Sequence, residues 1–213
     1  MRVAIAGGHG RIALRLARVL SGRGEGVRSL VRNPDHEADV REHGGEAVVC
    51  DLEHAAEEEV AEAIGGCDAV VFAAGAGPGS GPERKWTMDY GGAVKLIAAA
   101  RAAGIRRYLM VSAMSADPDA EGGGFAVYLR AKGKADAELA AAGLDHTIVR
   151  PGGLTDDPGT GRVKAAAKLD RGQIPRHDVA AVLAACLDAP NTVGKTFDLV
   201  SGETPVDDAV RSL

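Results

Sequence analysis

Aromatic residues make up only 3% of this 213-residue chain, with a single tryptophan. Its core must therefore be filled by Ala, Val, Leu and Ile, with close helix packing where Ala dominates. Cysteine is scarce as well: Cys50, Cys67 and Cys186 are an odd number with no close pair. That argues against a disulfide framework and for the reducing cytoplasm. No apolar run approaches the roughly 20 residues that cross a bilayer, so no membrane partner is expected. Positive charge is not in excess, since 25 Lys and Arg stand against 30 Asp and Glu. Nucleic acid is disfavoured as a partner, because binding its backbone needs a basic surface. The six histidines are scattered, and none pairs with another histidine or a cysteine at ligand spacing, so no metal site is expected. The opening MRVAIAGGHG leads into glycines rather than a small-residue cleavage site, and reads as a strand.

What the chain does have is 46% hydrophobic residues, enough for one full core. Short β-rich runs alternate with longer Ala-rich runs. Strands are expected at 2–6, 27–31, 47–50, 69–73, 107–111, 146–150 and 196–200. Helices are expected at 11–21, 36–42, 56–64, 84–103, 126–142 and 178–188. Gly104 and Gly143 sit where helix C-caps belong. This alternation predicts βαβ units: an α/β, Rossmann-like, doubly wound parallel sheet of about seven strands with helices on both faces. We read 1–213 as a single domain. Loops 75–83, 115–125 and 152–165 form a small substrate-side region beyond the carboxyl ends of the strands, where open α/β sheets bind ligands.

The first strand runs straight into Gly7-Gly8-His9-Gly10-Arg11-Ile12-Ala13, with the spacing G-x-x-G-x-x-A. Small residues let the chain turn sharply, approach a pyrophosphate, and pack a helix on the strand. The helix then offers free N–H groups to phosphates. The second strand ends on Arg32, where an NAD site usually carries a carboxylate for the ribose hydroxyls. A guanidinium there pairs with a 2′-phosphate, so NADP(H) is preferred over NAD(H). Arg11 could help by the same logic or simply be solvated. Asp51, followed by Leu52, could accept from an adenine amino group or cap the next helix. Ala73-Ala74-Gly75 keeps the fourth strand's exit small enough for a cofactor to lie against it. His9 reads as a solvated loop residue.

Later comes FAVYLRAKGKADAEL, in which Tyr128 and Lys132 lie four apart and share a helix face. A lysine near a phenol favours the phenolate, and such a pair can run proton transfer. By itself the spacing arises easily by chance. Its surroundings make the case stronger: GGHGRIA at 7–13, DL at 51–52, AAG at 73–75, DYGGAVKLIAAA at 89–100, VSAMSA at 111–116, YLRAK at 128–132 and IVRPGGLTDDPGTGRV at 148–163 occur in order along the chain.

Together these pieces resemble the short-chain dehydrogenase/reductase superfamily, most closely its atypical, compact, NAD-dependent epimerase/dehydratase-like members. The resemblance implies that Tyr128 is the general acid or base, and that Lys132 lowers its pKa and holds the nicotinamide ribose. It also implies a carbonyl-polarising serine after the fifth strand, Ser112 or Ser115, with Ser112 favoured. Pro151-Gly152-Gly153 would pass the nicotinamide. One departure is Asp89, where the best-known catalytic members carry Asn; an ionised Asp only accepts hydrogen bonds. Asp89 equally suits the start of a helix. With only about 60 residues after Pro151, a small carbonyl, quinone or flavin is expected as acceptor rather than a bulky nucleotide sugar. The expected protein is thus an NADP(H)-dependent oxidoreductase, monomeric or homodimeric, with a small-molecule substrate. A non-catalytic NADP(H) sensor and an epimerase or dehydratase with tightly held cofactor are the alternatives.

Overall fold

A computed structural model describes residues 1–77 and 79–213. The chain order is β1 (Arg2–Ala6), α1 (Arg11–Gly22), β2 (Gly26–Val31), α2 (Glu37–Glu42), β3 (Glu46–Val49), α3 (Glu57–Ile64) and β4 (Ala69–Phe72). There follow α4 (Pro82–Arg84), a π-helix (Lys85–Gly92), α5 (Ala93–Ala102), β5 (Arg107–Val111), α6 (Phe125–Ala141) and β6 (Asp145–Pro151). The last third holds β7 (Gly153–Thr155), β8 (Arg162–Ala166), β9 (Gln173–Pro175), α7 (Arg176–Leu187), β10 (Lys195–Ser201), β11 (Thr204–Pro205) and α8 (Val206–Arg211).

The seven expected strands form the parallel part of the sheet, in the order β3-β2-β1-β4-β5-β6-β10. The order reverses at β1, the switch point where such sheets bind ligands. Two further strands, β8 and β11, extend the β10 edge antiparallel, giving nine strands in all. A separate parallel pair, β7 with β9, stands apart from this sheet. The alternation of each central strand divides the core. Val3 and Ile5 of β1 face α1, α7 and α8, whereas Ala4 and Ala6 face α3, α5 and α6.

The helix expected over 84–103 is not uniform. It starts at Pro82 and widens to a π-helix through Lys85–Gly92 before tightening into α5. The Gly91-Gly92 pair loosens the backbone there, and π turns are frequent where a side chain must be re-aimed at a site. Asp89, buried, is the residue so placed. Gly104 has φ +72° and Ile105 N–H donates back to Ala100 O at 2.9 Å, closing α5 as a glycine C-cap.

Candidate active site

Two clefts open along the carboxyl edge of the parallel strands. The first, of about 360 Å³, is bounded by the Gly7–Gly10 turn, the ends of β2 and β3, and Ala73–Gly77 after β4. Gly7 has φ +76°, and a Cβ on it would lie 2.6 Å from Ala74 Cα. A Cβ on Gly8 would lie 2.5 Å from Ser29 Cβ. Only glycine fits at either position. Gly10 N–H closes the turn on Gly7 O at 2.8 Å, and Gly10 N-caps α1 in extended conformation. The first-turn amides of Arg11, Ile12 and Ala13 have no intrahelical acceptor, as at any helix start. Such a cradle of open amides and absent side chains fits a pyrophosphate.

Expected residues divide by role here. Asp51, Leu52, Arg32, Ala73, Ala74 and Gly75 all line this cleft. Ile12 turns its side chain into the core and offers the cleft only its backbone. Arg11 is turned away: its guanidinium pairs with Asp156, which Arg176 also holds at 3.1 Å. Asp51 does cap its own turn, accepting Glu53 N–H at 3.0 Å, while lining the cleft. Its carboxyl is held below the ordinary range: burial raises it, but the hydrogen bond from His54 and the Glu53 amide outweigh that. Arg32 lies 4.0 Å from Glu53, whose carboxylate is already gripped by Arg84 at 2.7 Å and Thr87 at 2.7 Å.

Sequence reading missed His36 and Arg84 in this lining. His36 stacks on His9 with ring centroids 3.6 Å apart, and His9 Nε2 meets Asp39 Oδ2 at 2.7 Å. His9 is therefore an ordered wall of the cleft and not a solvated loop residue. The signal that could have found this pair is His36 following the β2 end by a few residues. Their meeting depends on the turn after β2.

The second cleft, of about 530 Å³, lies beyond β5 and β6. Tyr128, Ser112, Ser115, Pro151, Gly152 and Gly153 line it. Gly152 N–H donates to Leu199 O at 2.9 Å and Gly153 N–H to Gly172 O at 2.8 Å. Those amides are thus committed to β10 and to the residue before β9. The two serines differ. Ser112 is buried and donates its hydroxyl proton to Asp136 Oδ2 at 2.8 Å. Ser115 is exposed and has φ +66°, the one non-glycine residue with positive φ among the described residues. A backbone held there by its surroundings is a frequent mark of a functional site.

Tyr128 and Lys132 lie one turn apart on α6 and make no hydrogen bond to each other among the described residues. Lys132 is fully buried, and its Nζ donates to Val111 O at 2.8 Å while lying 5.4 Å over the Phe72 ring. Burial lowers its pKa, and Asp89 and Asp136 oppose that. Tyr128 is held well above the ordinary phenol range, by burial first and then by Asp89 and Asp136. The Lys132 amine is not hydrogen-bonded to the Tyr128 hydroxyl among the described residues, and the cation nearest the Tyr128 ring is Lys85 Nζ, 5.5 Å from its centroid. The Lys132 amine is taken up by the carbonyl that ends β5. Asp89 Oδ2 accepts Ala76 N–H at 3.1 Å, tying the π-helix to the floor of the first cleft. Burial raises its carboxyl, against Lys132 and that amide.

A glycine cradle at a sheet switch point, next to a cleft lined by Tyr128, Ser112 and Ser115, defines a dinucleotide-binding Rossmann-type protein. The sequence model of a family described as NAD(P)H-binding matches residues 7–190. The chain belongs to that NAD(P)H-binding family, within the atypical short-chain dehydrogenases/reductases. It is 43% identical over 216 residues to a Bacillus subtilis protein named uncharacterized sugar epimerase YhfK, covering all of both chains. A solved structure from Bacillus halodurans, provisionally assigned as an NAD-dependent epimerase/dehydratase, superposes with TM-score 0.94 at 39% identity over all of both chains. The oxidoreductase ylbE from Lactococcus lactis superposes with TM-score 0.87 at 28% identity, over 100% of this chain and 96% of that one.

Proposed function

We propose that this protein is an NADP(H)-dependent reductase acting on a small carbonyl, quinone or flavin acceptor. The observation that supports this most is the gathering of Tyr128, Ser112 and Ser115 on one cleft, at the same sheet edge as the glycine cradle. When bound, the reduced nicotinamide supplies two electrons and one hydrogen as hydride. Tyr128 supplies the proton that the acceptor oxygen then needs. A phenol held above its ordinary range is protonated at neutral pH, as a proton donor must be. Ser115, which lines the cleft from an exposed turn, orients the acceptor oxygen, and Ser112 shapes the wall behind it. Lys132 and Asp89 set the charge beneath Tyr128.

The preference for NADP(H) rests on Arg32, whose guanidinium is more than half exposed at the end of β2 and lines the first cleft. A guanidinium there matches a 2′-phosphate, and no carboxylate ends the strand. Arg32→Asp should move preference from NADP(H) towards NAD(H), read as the ratio of the two dissociation constants. An unmoved ratio assigns the 2′-phosphate to another group.

Tyr128→Phe tests the chemistry. Turnover in a screen of carbonyls, quinones and flavins, followed by NADPH oxidation, should fall at least a hundredfold with cofactor affinity retained. Unchanged turnover sinks the role. A second reading, a non-catalytic NADP(H) sensor, is favoured by one observation: the Ser112 proton and the Lys132 amine are both committed to protein acceptors. Absence of turnover with every acceptor, alongside binding of both redox forms, would select it.

A further inference from the structure

The second cleft has a charge of one sign. Its lining contains Arg171 and Arg176 and no carboxylate. Arg176 opens α7, immediately after β9. Its guanidinium contacts Asp156, but that one carboxylate also serves Arg11 and, at 3.6 Å, Arg15. Three guanidiniums thus share a single negative charge. Arg171 is exposed, and among the described residues it makes no ion pair. Asp157 and Asp170 lie on an adjoining cleft, which Arg171 also borders together with Lys164. Among the described residues the lining of the cleft beside Tyr128 therefore carries two guanidiniums and no carboxylate, with Asp156 shared among three arginines as the nearest counter-charge of Arg176.

The same cleft is unusually aromatic for this chain. Of seven aromatic side chains in the sequence (three Phe, three Tyr, one Trp), Phe125 and Tyr128 both lie here. Their ring centroids are 5.5 Å apart, and Phe125 is 68% exposed, an uncommon cost for a phenylalanine without a partner. Met114 and Leu154 add apolar wall. An apolar body with a few convergent polar groups is the usual build of a small-molecule site, and a guanidinium recognises oxyanions in fork geometry.

Resting on the reductase reading above, we propose that this cleft takes an aromatic carbonyl compound bearing an oxyanion, a carboxylate or a phosphate. Arg171 and Arg176 hold the anion, Phe125 and Tyr128 cover the ring, and the carbonyl lies at the Tyr128 hydroxyl. In the reaction the carbonyl carbon gains the hydride, its oxygen gains the Tyr128 proton, and the oxyanion is unchanged.

The test uses matched probes on the full chain with its nicotinamide cofactor. Turnover of 4-carboxybenzaldehyde is compared with that of methyl 4-formylbenzoate, and 4-formylphenyl phosphate separates phosphate from carboxylate. Binding of the unreactive pair 4-methylbenzoate and methyl 4-methylbenzoate is measured by saturation-transfer NMR. Each anion should exceed its ester by about tenfold or more, as expected for a charge-assisted contact. That ratio should fall towards one in Arg171→Gln, an exposed position that leaves the core untouched. It should persist in Lys168→Gln, which removes the same charge elsewhere on the exposed surface. Esters bound as well as anions, or a ratio that survives Arg171→Gln, would overturn the proposal. Selective anion binding with no reduction of these probes or of any carbonyl, quinone or flavin in the screen above would uphold the anion site and defeat the reductase reading. Reduction of acid and ester alike would do the reverse.

Discussion

Ser112 Oγ gives its only proton to Asp136 Oδ2 at 2.8 Å, and Arg150 Nε gives another to the same oxygen at 2.9 Å. Asp136 is one turn beyond Lys132 on α6 and is buried, so it joins three elements: α6, the end of β5, and β6. Its other oxygen, Oδ1, has no hydrogen-bond partner among the described residues. Burial raises the carboxyl, while Ser112, Arg150 and Lys132 draw it back down.

Removing that carboxylate should be costly. Asp136→Ala strips Arg150 of its ion pair and Ser112 of its acceptor, and breaking a buried pair from one side costs about 3 kcal/mol. Asp136→Asn keeps an acceptor for Ser112 and should cost about half as much. Urea unfolding with both variants checks this; equal losses would mean that charge contributes nothing beyond the hydrogen bond.

Asp89 makes a prediction in pH. Its folded carboxyl is raised above the ordinary 3.8, chiefly by burial. It therefore binds its proton more tightly folded than unfolded, and stability must fall as pH rises through the folded value. Asparagine has the same shape, still accepts Ala76 N–H, and does not titrate. Asp89→Asn should thus match wild type in acid and gain on it as pH is raised from about 3.8 towards neutrality. A series of urea unfolding curves across pH measures the difference. A gap independent of pH would show that the buried carboxylate carries no penalty.

Gly133 follows Lys132 on α6 and is buried against the loop after β5. A Cβ there would overlap the backbone of Asp117 and Pro118. Backbone cannot yield as the end of a side chain can, so Gly133→Ala should push this loop off α6 at a cost of about 2 kcal/mol. It should do so despite alanine's better helix propensity. Thermal unfolding decides the sign. Gly123→Ala, where nothing lies within reach of a Cβ, is the control and should be nearly neutral.

The seven parallel strands were legible because each is a short apolar run with its own alternation, and because the glycine cradle is local to one turn. The edge strands were not. Arg162–Ala166 reads RVKAA, which carries little β signal, and it becomes β8 only by pairing antiparallel with β10 more than 30 residues on. The substrate-side arginines were hidden for the same reason. Arg171 and Arg176 reach the Tyr128 cleft because β9 pairs with β7, and neither three-residue strand announces itself. α7 was expected from residue 178, two residues late, which left Arg176 outside it. Lys132 was placed on the correct helix face, but periodicity could not tell that its amine would be captured by Val111 O.

The three thiols offer a test of the first cleft that needs no substrate. All are buried, and burial raises each one; Cys186, fully enclosed on the last turn of α7, is pushed up to about 12. Alkylation needs the thiolate, so iodoacetamide should label the native protein slowly and Cys186 last. Cys50 is the exception in position: it directly follows β3 and lines the glycine-loop cleft, whereas Cys67 lies away from it before β4. A bound dinucleotide should therefore slow Cys50 severalfold beyond any effect on Cys67, measured by mass spectrometry of the labelled peptides. If NADPH protects both alike, labelling proceeds through opening of the whole fold, since a ligand that binds only the folded state suppresses every such opening equally. If it protects neither, the dinucleotide does not occupy the cleft bounded by Cys50 and Asp51.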